Sequence, residues 1–145
     1  MSSDPALRRM IIQHEGWRAF AYKDTASKLT IGVGRNLSDR GLAADEIDLL
    51  LDNDLELALA ICVDLFGSDF AGASVPRRHA LISMAFNLGG PRLAKFIRLR
   101  AAIKAGDWQG AAHHALDSRW ASQTGGRARH IAQLISGPES PKPLI

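Results

Sequence analysis

One segment of this chain reads as strand while the rest reads as helix or turn, and that asymmetry limits the fold more than any other feature. Ala19-Phe20-Ala21-Tyr22 and Leu29-Thr30-Ile31-Gly32-Val33 favour extended backbone, and the polar Lys23-Asp24-Thr25-Ala26-Ser27-Lys28 between them favours a turn. The run from Ala19 to Val33 is therefore a hairpin, and it is expected to be the whole sheet of the protein.

Helical periodicity fills the remainder. Asp4-Pro5 supplies a cap followed by proline at the first helical position, and Leu7, Met10, Ile11 and His14 then recur at helical spacing. This predicts a helix over about residues 4–14, with Glu15 at its end and Gly16 breaking it. Beyond the loop at Asn36–Gly41, Ile47, Leu50, Leu51, Leu55, Ala58, Ile61, Cys62 and Leu65 form one face of a long amphipathic helix that stops near Gly67. A second series starts at Pro76 (Ala80, Leu81, Met84, Ala85, Leu88) and breaks at Gly89-Gly90. Shorter helices are expected at about 91–105, 107–117 and 126–136, with Asp107 capping the middle one. Gly137 to Pro143 is proline-rich and polar, which predicts a flexible tail over 137–145.

The expected fold class is therefore α+β, mostly α. A single domain over about residues 1–136 would carry a hairpin lobe (about 16–42), a long connecting helix, and a helical lobe (about 67–136) joined by the N-terminal helix. Two lobes on one long helix are expected to leave a cleft.

At 145 residues and 46% hydrophobic content the chain is large enough to bury a core. Cys62 is the single cysteine, so no intrachain disulfide can form; its place on an apolar helical face predicts a buried, inert thiol. The N-terminus has no apolar signal region and no stretch approaches the ~20 apolar residues of a spanning helix, so a soluble product without stable membrane insertion is expected. His14, His79, His113, His114 and His130 lack metal-ligand spacing, which predicts no metal. Gly32-Val33-Gly34 looks like a fragment of a phosphate loop but lacks the Lys-Ser/Thr and helix that such a loop requires. The net charge of +3 favours an anionic partner. Arg77, Arg78, Arg92, Lys95, Arg98, Arg100 and Lys104 would form a basic face, by default solvated surface.

Two carboxyl groups are placed where sugar chemistry can use them. Glycoside hydrolysis commonly pairs a protonated acid, which releases the leaving sugar, with an ionised one that supports attack. Glu15, at a helix–sheet junction and followed by Gly16 and Trp17, is expected to be partly desolvated and so suited to hold a proton. Asp24, in the polar turn beside Lys23, is suited to stay ionised as base or electrostatic partner. Thr30, on the returning strand, has a hydroxyl that can hold a water against Asp24.

The run His14-Glu15-Gly16-Trp17-Arg18-Ala19-Phe20-Ala21-Tyr22-Lys23-Asp24-Thr25, continued by Leu29-Thr30-Ile31-Gly32-Val33-Gly34, resembles glycoside hydrolase family 24, the phage lysozymes. The E-G, Y-K-D-T and T-I-G-x-G elements in this order and at these gaps carry the likeness. Arg77 to Gly89 is similar to the family's core helix, with Asn87 as its polar cleft residue, and Ser118-Arg119-Trp120 with Gln123, Thr124 and Arg127 is similar to its substrate-side segment. The resemblance covers about residues 7–136. It implies a lysozyme-like fold and the muramidase reaction on bacterial peptidoglycan, with Glu15, Asp24 and Thr30 catalytic and Asn87, Trp120, Gln123, Thr124 and Arg127 binding substrate. It also implies that Arg127 packs near Glu15, that no cofactor is needed, and that the partner is wall polymer rather than nucleic acid. Trp17, Trp108 and Trp120 can stack on sugars, although aromatic residues at helical spacing usually serve the core.

Two departures stand out. Arg35 occupies the place after T-I-G-x-G where the family often has histidine, so that histidine's structural partner is expected to be missing or replaced; the segment 35–43 is also short for the family. The competing readings are a lytic transglycosylase acting on the same bond and a non-enzymatic cationic wall- or membrane-binding protein. The presence of Asp24 and Thr30 argues against the first. The family context further implies an endolysin: a monomer made in the host cytoplasm that acts on the cell wall after release by a holin-type helper.

Overall fold

The computed structural model describes residues 4–137, so the expected tail beyond Gly137 lies outside the described residues. The Asp4 carboxylate accepts the Ala6 N–H at 2.9 Å and Pro5 opens helix α1 (Pro5–Glu15). Gly16, at φ 86°, ends it, a conformation that costs glycine little.

Three strands follow: β1 (Arg18–Lys23), β2 (Leu29–Gly32) and β3 (Arg35–Asn36), an antiparallel sheet in the order β1-β2-β3. Tyr22 faces Thr30 and Arg18 faces Gly32, so three β1 residues span the space of Ile31 alone and the strand bulges. The hairpin read from sequence is thus one strand short of the sheet. β3 contributes only the pairs Thr30–Asn36 and Ile31–Arg35, too few for any alternation to show in the sequence. Between β2 and β3 the chain reverses through Gly32 and Gly34, at φ 68° and 69°.

The long helix α2 (Ala44–Phe66) has the expected extent. Its acidic first turn suits the helix dipole, and Glu46 Oε1 accepts the Ala43 N–H at 2.8 Å, which is half of a capping box. Ile47, Leu50, Leu51 and Leu55 are exposed, and the apolar face is buried only from Ala58 onward. α3 (Ser68–Ala71) and α4 (Val75–Leu88) come next, the latter capped by Ser74 Oγ.

The helix expected at 91–105 is two helices, α5 (Gly90–Ala94) and α6 (Ile97–Lys104). Phe96 breaks the run: its ψ of 65° is not helical, and its ring meets that of Trp120 edge to face at 6.4 Å. α7 (Trp108–Leu116) is capped by Asp107 as expected, α8 (Arg119–Thr124) was not foreseen, and α9 (Gly126–Ser136) has the expected bounds. The cap of α8 was nonetheless written in the sequence, since Ser118 Oγ accepts the Ala121 N–H at 3.1 Å.

The architecture is α+β and mostly α. By contacts the chain divides into two units at Leu49/Leu50, inside α2. The first holds α1 and the sheet, whereas the sequence reading joined that helix to the helical lobe. The second holds the hydrophobic core, in which Cys62, Leu81, Met84, Leu93, Leu99 and Ile135 are fully enclosed. Beneath α9, Arg77 is buried and donates from Nε to Ile135 O (2.7 Å) and from Nη2 to Ser136 O (2.9 Å), satisfying the last carbonyls of that helix.

Candidate active site

Glu15 ends α1 because the backbone leaves the helix at Gly16, and its side chain turns onto the β2–β3 reversal. A Cβ added to Gly34 would lie 2.8 Å from Glu15 Oε2 and 3.1 Å from Cδ, so only a glycine accommodates the carboxyl at this approach. The second glycine of T-I-G-x-G thus has a neighbour in the Glu15 carboxyl. It seats Glu15. The carboxyl is exposed rather than partly desolvated, which corrects the expectation drawn from its junction position.

Asp24 sits in the β1–β2 turn, half-buried. Its Oδ1 accepts the N–H groups of Ala26 at 2.8 Å and Lys28 at 2.9 Å, and the Ser27 N–H reaches Asp24 O at 3.0 Å. Ser27, at φ 62°, is the sole non-glycine with positive φ among the described residues, so this turn holds a conformation that L-residues disfavour. Thr30 is 3% exposed, and its hydroxyl donates to Lys28 O at 3.0 Å. Lys28 thus joins the two residues through its backbone, giving its N–H to Asp24 and its carbonyl to Thr30. With its proton committed, the Thr30 oxygen retains acceptor capacity only.

The Arg35 position is answered within the same unit. Arg35 Nη1 donates to Glu46 Oε1 and Nη2 to Oε2, both at 2.6 Å, and Nη1 also reaches Gly41 O at 3.2 Å. The side chains are 21% and 34% exposed, so the pair is shielded in part from salt and water. The Arg35 guanidinium, helped by the Ala43 N–H, holds the Glu46 carboxyl down at about 2. Arg35 thus carries a forked ion pair of its own. Sequence reasoning flagged Arg35 and missed Glu46; the signal was a Glu at the third position of a helix whose cap, Ala43, has no side-chain acceptor.

The expected substrate-binding residues lie in the second unit. Trp120 is 3% exposed, and its Nε1 donates to Asn87 Oδ1 at 2.7 Å, so two of them meet and bond to each other. The indole is part of the core rather than an open stacking plate. Trp108 is also partly buried against the core, with the Arg77 guanidinium 4.7 Å above its ring, whereas Trp17 is 72% exposed. Thr124 donates its hydroxyl to Trp120 O, and Gln123 shares with Trp120, Phe96 and Arg98 the wall of a cavity of about 520 Å³. Arg127 is exposed and donates from Nη2 to Ser83 O (3.3 Å) and Oγ (3.1 Å). Cys62 is buried as expected, and its thiol is pushed up to about 12 by that burial.

A carboxyl against a glycine turn and an Asp–Thr pair tied through the Lys28 backbone thus occur in one unit, on a small antiparallel sheet. The chain matches the phage lysozyme family over residues 12–135 and belongs to that family. It is also 27% identical over 157 aligned positions to the pre-baseplate central spike protein Gp5 of Enterobacteria phage T4. That alignment takes in 90% of this chain but only 27% of the spike protein's length.

Proposed function

We propose that the chain is a muramidase that hydrolyses the β-1,4 bond between N-acetylmuramic acid and N-acetylglucosamine. Glu15 protonates the glycosidic oxygen, and Asp24 with Thr30 directs the attacking water. The observation that carries this reading is the built seat of Glu15 on Gly34, with Asp24 and Thr30 tied through Lys28 in the same unit. Because Glu15 is exposed, the sugar itself must exclude water from the carboxyl. Asn87, Gln123 and Arg127 contact the glycan or its peptides. Trp120, being buried, contributes by holding Asn87. Residues 1–136 act as one catalytic domain without a cofactor. We place the activity in phage-driven lysis, by a monomer that reaches the wall after release by a holin-type helper. No helix among the described residues is long and apolar enough to cross a membrane. The likeness to a spike protein favours a second setting, in which the same cutting unit works within a larger phage particle.

The test is clearing of outer-membrane-permeabilised Gram-negative cells by wild type and Glu15→Gln, with mass spectrometry of the released muropeptides. Hydrolysis predicts reducing-end products and a loss of ~10²-fold or more in the variant. Anhydro products would assign a transglycosylase, and equal clearing by both proteins would remove the enzymatic reading of this site.

A further inference from the structure

We infer that Arg35, acting with Glu46, is a positioning residue for the Glu15 carboxyl: the forked pair fixes the β2–β3 reversal so that Gly34 presents its bare backbone where Glu15 rests. The inference rests on the proposed role of Glu15. Its grounds are a chain of contacts. Glu15 lies against Gly34, close enough that a methyl group would collide with it. Arg35 is the next residue, and in β3 it pairs with Ile31 on the other side of the same turn. Its guanidinium makes two 2.6 Å bonds to Glu46 and a third to Gly41 O, and Glu46 is itself held by the Ala43 N–H at the start of α2.

The turn needs such an anchor. Gly32 and Gly34 both have positive φ, a Cβ added to Gly32 would meet nothing within 4 Å, and β3 is only two residues long. Two glycines bring backbone freedom, and a two-residue strand gives few ladder bonds to restrain it. The fork supplies what the ladder lacks, a rigid and directional tie from the turn to a helix end. Lysine could match the charge of Arg35 but not the fork, and Glu46→Gln would keep the Ala43 cap while weakening the pair.

The experiment compares wild type, Arg35→Ala, Arg35→Lys, Glu46→Gln and Glu15→Gln on solubilised glycan strands. Initial rates of reducing-end release are measured well below each variant's own melting temperature. Misplacing a catalytic group by about 1 Å can cost ~10²-fold. Arg35→Ala and Glu46→Gln should therefore lower kcat roughly 10- to 100-fold with KM within about twofold, and Arg35→Lys should recover part of the loss. The pH profile should keep its shape while its height falls. Arg35→Ala added to Glu15→Gln should cost nothing further, because the clamp works only through that carboxyl. Folded Arg35 and Glu46 variants with wild-type kcat, a loss confined to KM, or an additive loss in the Glu15→Gln background would overturn the positioning role. Wild-type kcat in Glu15→Gln alone would instead remove the catalytic reading on which it stands.

Discussion

Gly34 shows how much of a site can depend on one missing methyl group. Gly34→Ala would place Cβ 2.8 Å from Glu15 Oε2 and would also force an L-residue to φ 69°. The carboxyl can swing away, so the protein should fold, but Glu15 should no longer rest where the reaction needs it. The expected outcome is a kcat lower by roughly 10²-fold with a folded far-UV spectrum, measured by reducing-end release. A variant as active as wild type would show that the seat is dispensable. Cys62 makes the opposite kind of prediction. Burial holds its thiol at about 12, so the native protein should resist alkylation at pH 8 and react only after unfolding. The sequence disclosed both residues unequally. A cysteine on an apolar helical face announces its burial. The T-I-G-x-G glycines announce only that backbone must turn or approach something, and the approaching group, Glu15, lies 19 positions earlier in the chain. The exposure of Glu15 was misjudged because a helix–sheet junction fixes where a side chain begins, not what covers it.

At the scale of elements, the helix ends and the turn carry the information. Asp4, Ser74 and Asp107 each cap a helix through a side-chain oxygen, and each precedes a helical series whose start was legible. Asp107→Ala should therefore cost about 1 kcal/mol in chemical denaturation, and Asp107→Ser should restore most of it. α2 starts differently, on Ala43 with Glu46 reaching back, and this makes its start sensitive to pH. The folded Glu46 carboxyl is held at about 2 against an ordinary value of 4.5. Its contribution to stability is thus fully present above pH 4.5 and is lost as pH falls through 2. Wild type should melt higher than Glu46→Gln at neutral pH, and the gap should narrow below pH 4.5 and close near pH 2. A gap independent of pH would mean that the ion pair adds nothing. The elements that sequence reading missed, β3, α3 and α8, are two, four and six residues long, shorter than the period needed to recognise them. The break between α5 and α6 depends on Phe96 meeting Trp120, 24 residues on, which no local pattern contains.

For the whole molecule, apolar burial is distributed unevenly between the two units. Among the described residues every buried hydrophobic one falls between Ala58 and Ile135, and over residues 4–49 only Thr30 is buried. Composition predicted that a chain this size could bury a core, but not which part of it would do so, since Leu7, Met10, Ile11 and Ile47 have the same periodic placement as Leu81 and Met84 and are exposed. The first unit is held instead by turn hydrogen bonds, the sheet ladder and the Arg35–Glu46 fork. A turn or ladder hydrogen bond contributes about 1 kcal/mol, whereas truncating an enclosed Leu81 or Met84 should cost ~2–5 kcal/mol. Local opening free energies should follow the same division. Native-state hydrogen exchange should therefore show amides of α4, α7 and α9 protected up to the global unfolding free energy, while those of α1 and the sheet open several kcal/mol sooner. Met84→Ala should lower the first group almost to the level of the second while leaving α1 and the sheet nearly unchanged, because Met84 belongs to the core of the second unit. Equal protection in both parts, or a Met84→Ala effect that spreads evenly over the chain, would mean that the two units unfold as one and that the apolar side chains of α1 are buried in solution. In that case the proposed seat of Glu15 would share in the stability of the helical core instead of resting on its own turn.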